Sequence, residues 1–213
     1  LREWTPTSGV PQGAVLSPVL SNLYLSPLDH QMSDRGFEMV RYADDFVVLC
    51  RSESEAVSAL NMIRDWVESA GLTLHPTKTR IVDSRTESFA FLGYSFRGEK
   101  IYPRCESLAK LKARLVKLTS RTRPGSIEAI CMELNSVLRG WFYYFRHCRW
   151  TIFTDLDSKI RSRLRRLLLR RHRNNPTRSP RQERWPNDYF AKAGLFSLRE
   201  AHNRFGQSRQ GHY

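Results

Sequence analysis

Phe37-Glu38-Met39-Val40-Arg41-Tyr42-Ala43-Asp44-Asp45-Phe46-Val47-Val48-Leu49-Cys50 sets two short β-prone runs on either side of Ala43-Asp44-Asp45. Aromatic and β-branched residues favour extended backbone, and a small, acidic interruption between two such runs is a turn signal. The stretch predicts a hairpin that carries two adjacent carboxylates at its tip.

Downstream, Ser52-Glu53-Ser54-Glu55 is a capping box, opening a helix with Val57, Leu60, Ile63, Trp66 and Val67 as its apolar face. Gly71 stands where a left-handed residue should end that helix. Thr73-Leu74 and Thr79-Arg80-Ile81-Val82 predict short extended pieces around His75-Pro76, and Phe89 to Phe96 alternates like a second hairpin. Upstream, a Gly-Pro-rich loop from Ser8 to Gly13 leads to Ser17-Pro18, an N-cap followed by proline at the first helical position. Val19, Leu20, Leu23 and Tyr24 follow at helical spacing, and Pro27 predicts a kink or stop. Helices crossing a small, mostly antiparallel sheet make this half α+β.

After Pro103 the periodicity is helical. Leu108, Leu111, Leu115 and Leu118 form one stripe, with Lys110, Lys112, Arg114, Lys117 and Arg121 on other faces. Pro124-Gly125 breaks it, and Ser126 caps a second helix with Ile127, Ile130, Leu134, Val137, Leu138 and Trp141 inward. Thr154-Asp155-Leu156-Asp157 predicts the start of a third helix, carrying Ile160, Leu164, Leu167 and Leu168. Such helices pack into a bundle with a basic, aromatic-rimmed surface. From Asn174 onward, Pro176, Pro180 and Pro186 with scattered Arg predict a loose extension, whose Trp185, Tyr189, Phe190, Leu195, Phe196 and Leu198 must nevertheless dock.

The charge is distributed unevenly. Residues 1–100 hold 10 Lys and Arg against 13 Asp and Glu, whereas the remaining residues hold 25 against 8, a net of +17. A polyanionic phosphate backbone is the partner that such an excess, interleaved with aromatics, implies. Cys50, Cys105, Cys131 and Cys148 stand far apart with no Cys-x-x-Cys, which argues against zinc and a disulfide framework and for free thiols in a reducing compartment. No apolar run is long enough to span a membrane, and the start at Leu1 has neither a signal-like stretch nor an initiator Met, so a truncated, cytoplasmic chain is expected.

Adjacent carboxylates on a strand-turn-strand support offer hard oxygen ligands, as Mg²⁺ requires while it also holds phosphates and waters. The competing reading is an ordinary Asp-rich turn. At Tyr42-Ala43-Asp44-Asp45 the sequence resembles the reverse transcriptase family, and the neighbouring boxes follow in the family's order. Gly9-Val10-Pro11-Gln12-Gly13 with Ser17-Pro18 and Asn22 resembles the upstream box; Gly71-Leu72-Thr73-Leu74-His75-Pro76-Thr77-Lys78 and Phe91-Leu92-Gly93-Tyr94 resemble the two downstream.

The resemblance implies a partial palm over residues 1–102, a basic helical thumb over 103–173, and a basic extension over 174–213. Asp44 and Asp45 would belong to a two-ion Mg²⁺ site, Asp44 the stronger candidate as ligand. Gln12 and Gly13 would face the incoming nucleotide, Tyr42 and Ala43 the primer terminus, and Leu92, Gly93 and Tyr94 the primer strand. Lys78 would neutralise or protonate the leaving pyrophosphate, although an exposed lysine without that task fits as well. The family also needs an Asp on a strand preceding the Gly9-to-Gly13 loop, and nothing before Leu1 is present to supply it, so these 213 residues are expected not to polymerise alone.

Leu134-Asn135-Ser136-Val137-Leu138-Arg139-Gly140-Trp141-Phe142-Tyr143-Tyr144-Phe145 is similar to the maturase-specific signature of group II intron reverse transcriptases. That similarity implies intron RNA, a DNA primer or target and dNTPs as partners, and it allows a homodimer. Arg139, Tyr143, Tyr144, Arg146 and Arg149 become candidate RNA contacts. No zinc-finger or His-Asn-His nuclease pattern follows, so priming from a nicked or replicating strand is expected. Two alternatives stay open: a catalytically dead splicing maturase, and a retron or CRISPR-associated reverse transcriptase, which should lack the Leu138-to-Trp141 signature. His30, His75, His147, His172, His202 and His212 show no ligand spacing.

Overall fold

The computed structural model describes residues 16–172 and 184–210, the last two as backbone only. Gln12, Gly13 and the rest of the Gly9-to-Gly13 loop lie outside the described residues. The chain forms two compact units, Leu1–Phe91 and Leu92–Tyr213.

In the first unit, α1 (Ser17–Asp34) precedes strands β1 (Glu38–Tyr42) and β2 (Asp45–Leu49), helix α2 (Glu53–Ser69) and strand β3 (Phe89–Phe91). The α1 helix starts one residue earlier than the Ser17-Pro18 signal suggests: Leu16 is the N-cap, with no side-chain cap, and Pro18 lies in the first turn. Pro27 does not stop the helix. Continuation costs a backbone hydrogen bond, about 3 kcal/mol. Beyond it, Leu28 and Met32 are 1% and 0% exposed, and burying two such side chains offsets that cost at about 1.5–3 kcal/mol each. The core of this unit is built from them and from Ala59, Ile63 and Val67 of α2. Val19, Leu20, Leu23 and Tyr24 remain exposed, so the helix buries its second half rather than its first.

β1 and β2 pair antiparallel, Glu38 opposite Leu49 and Tyr42 opposite Asp45. The period of two sends Met39, Phe46 and Val48 onto the helices and leaves Val40, Tyr42, Asp45 and Leu49 outward. Ser52 caps α2, its hydroxyl accepting from the Glu55 amide at 3.2 Å. The Gly71 and Leu72 amides close its far end on Glu68 and Val67, with Gly71 at φ 70°. Val57, expected inward, is exposed because the buried stripe runs through Ala59, Ile63 and Val67, with Ala59 about 200° round the helix from it. Thr73-Leu74 and Thr79 to Val82 form no strand.

In the second unit, β4 (Tyr94–Arg97) and β5 (Lys100–Pro103) pair antiparallel around Gly98-Glu99, a hairpin that the alternation through Phe96 does not reveal. Among the described residues the helices that follow include α3 (Cys105–Leu118), α4 (Ile127–Phe145), α5 (Trp150–Arg171), α6 (Asn187–Lys192) and α7 (Leu198–Gln210). Their core joins Leu111, Leu115, Ile130, Leu134, Leu138, Phe142, Phe153, Ile160 and Leu164. Ser126 caps α4 by accepting from the Ala129 amide at 3.2 Å.

Two expectations are corrected here. α5 begins at Trp150, with Arg149 as N-cap, not at Thr154. Asp157 caps another helix instead: 4% exposed, its carboxylate accepts from the Ser197 hydroxyl at 2.9 Å and from the Leu198 and Arg199 amides at 3.1 Å, at the start of α7. Residues 184–210 are also not loose, because Trp185, Phe190 and Leu198 lie 6%, 1% and 0% exposed in the helical core. Apolar burial outweighs the breaking tendency of the Pro and Arg between them.

Candidate catalytic hairpin and nucleic-acid face

Opposed Tyr42 and Asp45 leave Ala43 and Asp44 as a two-residue loop. Ala43 takes φ 55°, the left-handed region that glycine favours at the first position of a type II′ turn. A non-glycine residue there persists only when its surroundings hold it. Arg41 does so. Its inward position brings the guanidinium to the Ala43 carbonyl, to which it donates at 2.8 Å, and to Asn22 Oδ1 at 3.0 Å. Nε donates to Asp29 Oδ1 at 2.8 Å, and a second nitrogen pairs with the other carboxylate oxygen. Hydrogen bonding to Asp29 raises the Arg41 pKa further above its ordinary value, so the clamp stays charged. One side chain thus ties the turn to α1 at two points.

Held on this turn, Asp44 and Asp45 are exposed, as is Tyr42 at 67%. Two carboxylates with free access fit part of an oxygen-donor cation site, whose remaining positions water and phosphate oxygens can fill. Among the described residues, no group of three or more His, Cys, Asp or Glu side chains gathers. Lys78 is exposed in the turn after Pro76.

The second predicted turn is in the second unit. Leu92 and Gly93 are both left-handed, at φ 48° and 77°, and both carbonyls are engaged. The Tyr144 hydroxyl donates to the Leu92 carbonyl at 2.7 Å, and the Arg104 amide to the Gly93 carbonyl at 2.8 Å. Tyr94 answers by donating its own hydroxyl to the Tyr144 carbonyl, and the two rings stack at 5.6 Å and 19°. Burial is the main reason that the Tyr94 phenol is pushed up to about 12, with Cys148 and Tyr144 adding to it.

Of the candidate RNA contacts, most have intramolecular work. Arg139 stacks over Phe196 at 4.7 Å and Arg146 over Phe205 at 4.8 Å. Arg149 donates to the Tyr102 hydroxyl at 3.4 Å, and Tyr143 is 60% exposed. The outer faces of α3 present Lys110, Lys112, Arg114 and Lys117, all exposed. Sequence reasoning missed Arg41, Asp29 and Asp157. Arg41 had a signal: it occupies an inward position of a strand whose other inward residue is Met39.

Comparison with known proteins follows the same division. The family model for reverse transcriptase (RNA-dependent DNA polymerase) matches residues 2–96, and that for the group II intron maturase-specific domain matches residues 108–185. The Retron Ec86 reverse transcriptase of Escherichia coli is 31% identical over 161 residues, covering 73% of this chain and 44% of its own length. An uncharacterized 91 kDa protein in the cob intron of Schizosaccharomyces pombe is 23% identical, covering 76% of this chain and 31% of its own length. The chain thus spans less than half the length of either curated relative. With a reverse transcriptase region followed by a maturase-specific domain, the chain belongs to the group II intron reverse transcriptase and maturase family.

Proposed function

We propose that this chain supplies the catalytic hairpin and thumb of an RNA-directed DNA polymerase that copies group II intron RNA and assists its splicing. The observation that carries the reading is the exposed Asp44-Asp45 pair on a clamped two-residue turn, in a chain whose second region matches the maturase-specific domain. The retron reverse transcriptase is similar over 73% of this chain, but the match of residues 108–185 to the maturase-specific domain favours the intron branch.

Reverse transcriptases generally use divalent metal ions, and Asp44 and Asp45 would hold Mg²⁺ here. When bound, such ions would lower the pKa of the primer 3′-hydroxyl and stabilise the charge on the triphosphate. The primer oxygen then bonds to the α-phosphorus as the bond to pyrophosphate breaks, and the hydroxyl proton passes to solvent. By the family resemblance, Tyr42 and Ala43 would serve the primer end, Gln12 and Gly13 the nucleotide, and Leu92, Gly93 and Tyr94 the primer strand. Lys78 offers positive charge to the departing pyrophosphate. The basic faces of the second unit bind RNA phosphates.

Filter binding tests the RNA half: the chain should prefer intron RNA over a scrambled RNA of equal length, and equal binding refutes the maturase reading. Asp44→Ala should leave that preference intact while abolishing primer extension by a longer form of the protein. No extension is expected from the 213 residues by themselves, because the resemblance asks for a further Asp beyond the Asp44-Asp45 pair. Metal-dependent extension by the isolated chain, lost in Asp44→Ala, would overturn that expectation.

A further inference from the structure

We propose that Tyr144, at the aromatic end of the maturase signature, is a positioning residue for the primer-side turn Leu92-Gly93-Tyr94 rather than an RNA-stacking residue. The proposal rests on the polymerase reading for the turn's role, but the contact stands on its own geometry.

Ala43 and Leu92 are the non-glycine residues with positive φ among the described residues, and each carries a side-chain donor on its own carbonyl. At Leu92 that donor is Tyr144, and the bond is reciprocated: Tyr94 donates back to the Tyr144 carbonyl, closing a ring of contacts between turn and helix. The stacked Tyr94 and Tyr144 rings and the edge contact of Tyr144 with Phe145, 4.8 Å between centroids, hold the hydroxyl in place. A Cβ added at Gly93 would meet Tyr144 and Phe145 at 3.8 Å, so the turn lies directly on this helix end. A strained carbonyl fixed from one side by a phenol can present its opposite face to a strand in one orientation. The family signature Leu134-to-Phe145 therefore does a second task, building the seat for the primer turn as well as closing the helical core.

The test compares the 213-residue chain with its Tyr144→Phe and Tyr94→Phe variants, which keep the rings and remove one hydroxyl each. Tyr24→Phe, which removes a hydroxyl-to-carbonyl bond of 2.6 Å in the first unit, is the control. Hydrogen exchange at the Gly93 and Tyr94 amides should quicken about five- to tenfold in both test variants, the effect of one ordinary hydrogen bond. The control should leave it unchanged. In parallel, fluorescence anisotropy should show Tyr144→Phe weakening a primer-template duplex with a recessed 3′ end several-fold while single-stranded RNA binds as before. Unchanged exchange in Tyr144→Phe overturns the proposal, as does a loss of single-stranded RNA affinity equal to the loss for the duplex. If the unaltered chain binds no duplex, the polymerase reading is at fault, and the exchange measurement still decides the clamp.

Discussion

Single side chains decide the geometry of both turns. Arg41 is 10% exposed while its partner Asp29 is 37% exposed, so removing the guanidinium leaves a carboxylate that water can still reach. Arg41→Ala should therefore cost about 2–3 kcal/mol rather than the larger penalty of a fully buried broken pair, as read by urea denaturation. Arg41→Lys keeps charge but not the fork, and should fall between. Tyr94 gives a pH signature. Its phenol is raised to about 12 in the fold, above the unfolded value of about 10. Folding therefore favours the protonated form, and its contribution is complete below pH about 10 and lost as pH rises through about 12. Alkaline unfolding of Tyr94→Phe should lack that loss. The thiols divide by burial: Cys131 and Cys148 are buried and pushed up to about 11 and about 12, whereas Cys105 is exposed. Alkylation at neutral pH should mark Cys105 and reach Cys131 and Cys148 only on unfolding.

At the level of elements, the first hairpin was legible because period two and a small acidic turn leave little choice of structure. Its clamp was not, since an Arg in a strand reads as outward-facing until its neighbours place it inward. Helix starts were legible where a side chain caps its own helix, as at Ser52 and Ser126. They failed at Thr154, because the same residue types also serve partners distant in sequence: Asp157 meets donors 40 to 42 residues away. Asp157→Ala would strip three donors of their acceptor, and the loss should be about 2–4 kcal/mol by thermal unfolding. Asp157→Asn should recover part of it, because one carbonyl oxygen remains to accept.

At the scale of the molecule, charge rather than shape was the readable quantity. The net +17 after residue 100 implies binding that weakens steeply with salt. With about six phosphates neutralised, log affinity for single-stranded intron RNA should fall with log salt at a slope of about −4. A flat dependence would mean that the basic faces do not contact the backbone. The matched relatives exceed this chain in length, and what their further residues add is invisible from composition here.

The maturase-specific match ends at residue 185, yet the donors that satisfy Asp157 lie at Ser197, Leu198 and Arg199. A gene trimmed to the family boundary would encode a protein with an orphaned negative charge inside it and without the His202 ring that packs on Phe153. One aspartate thus requires the chain to run past the family boundary at least as far as residue 199. Frameshifts or nonsense changes anywhere before residue 199 should behave as loss-of-folding alleles, read as loss of soluble, cooperatively unfolding protein.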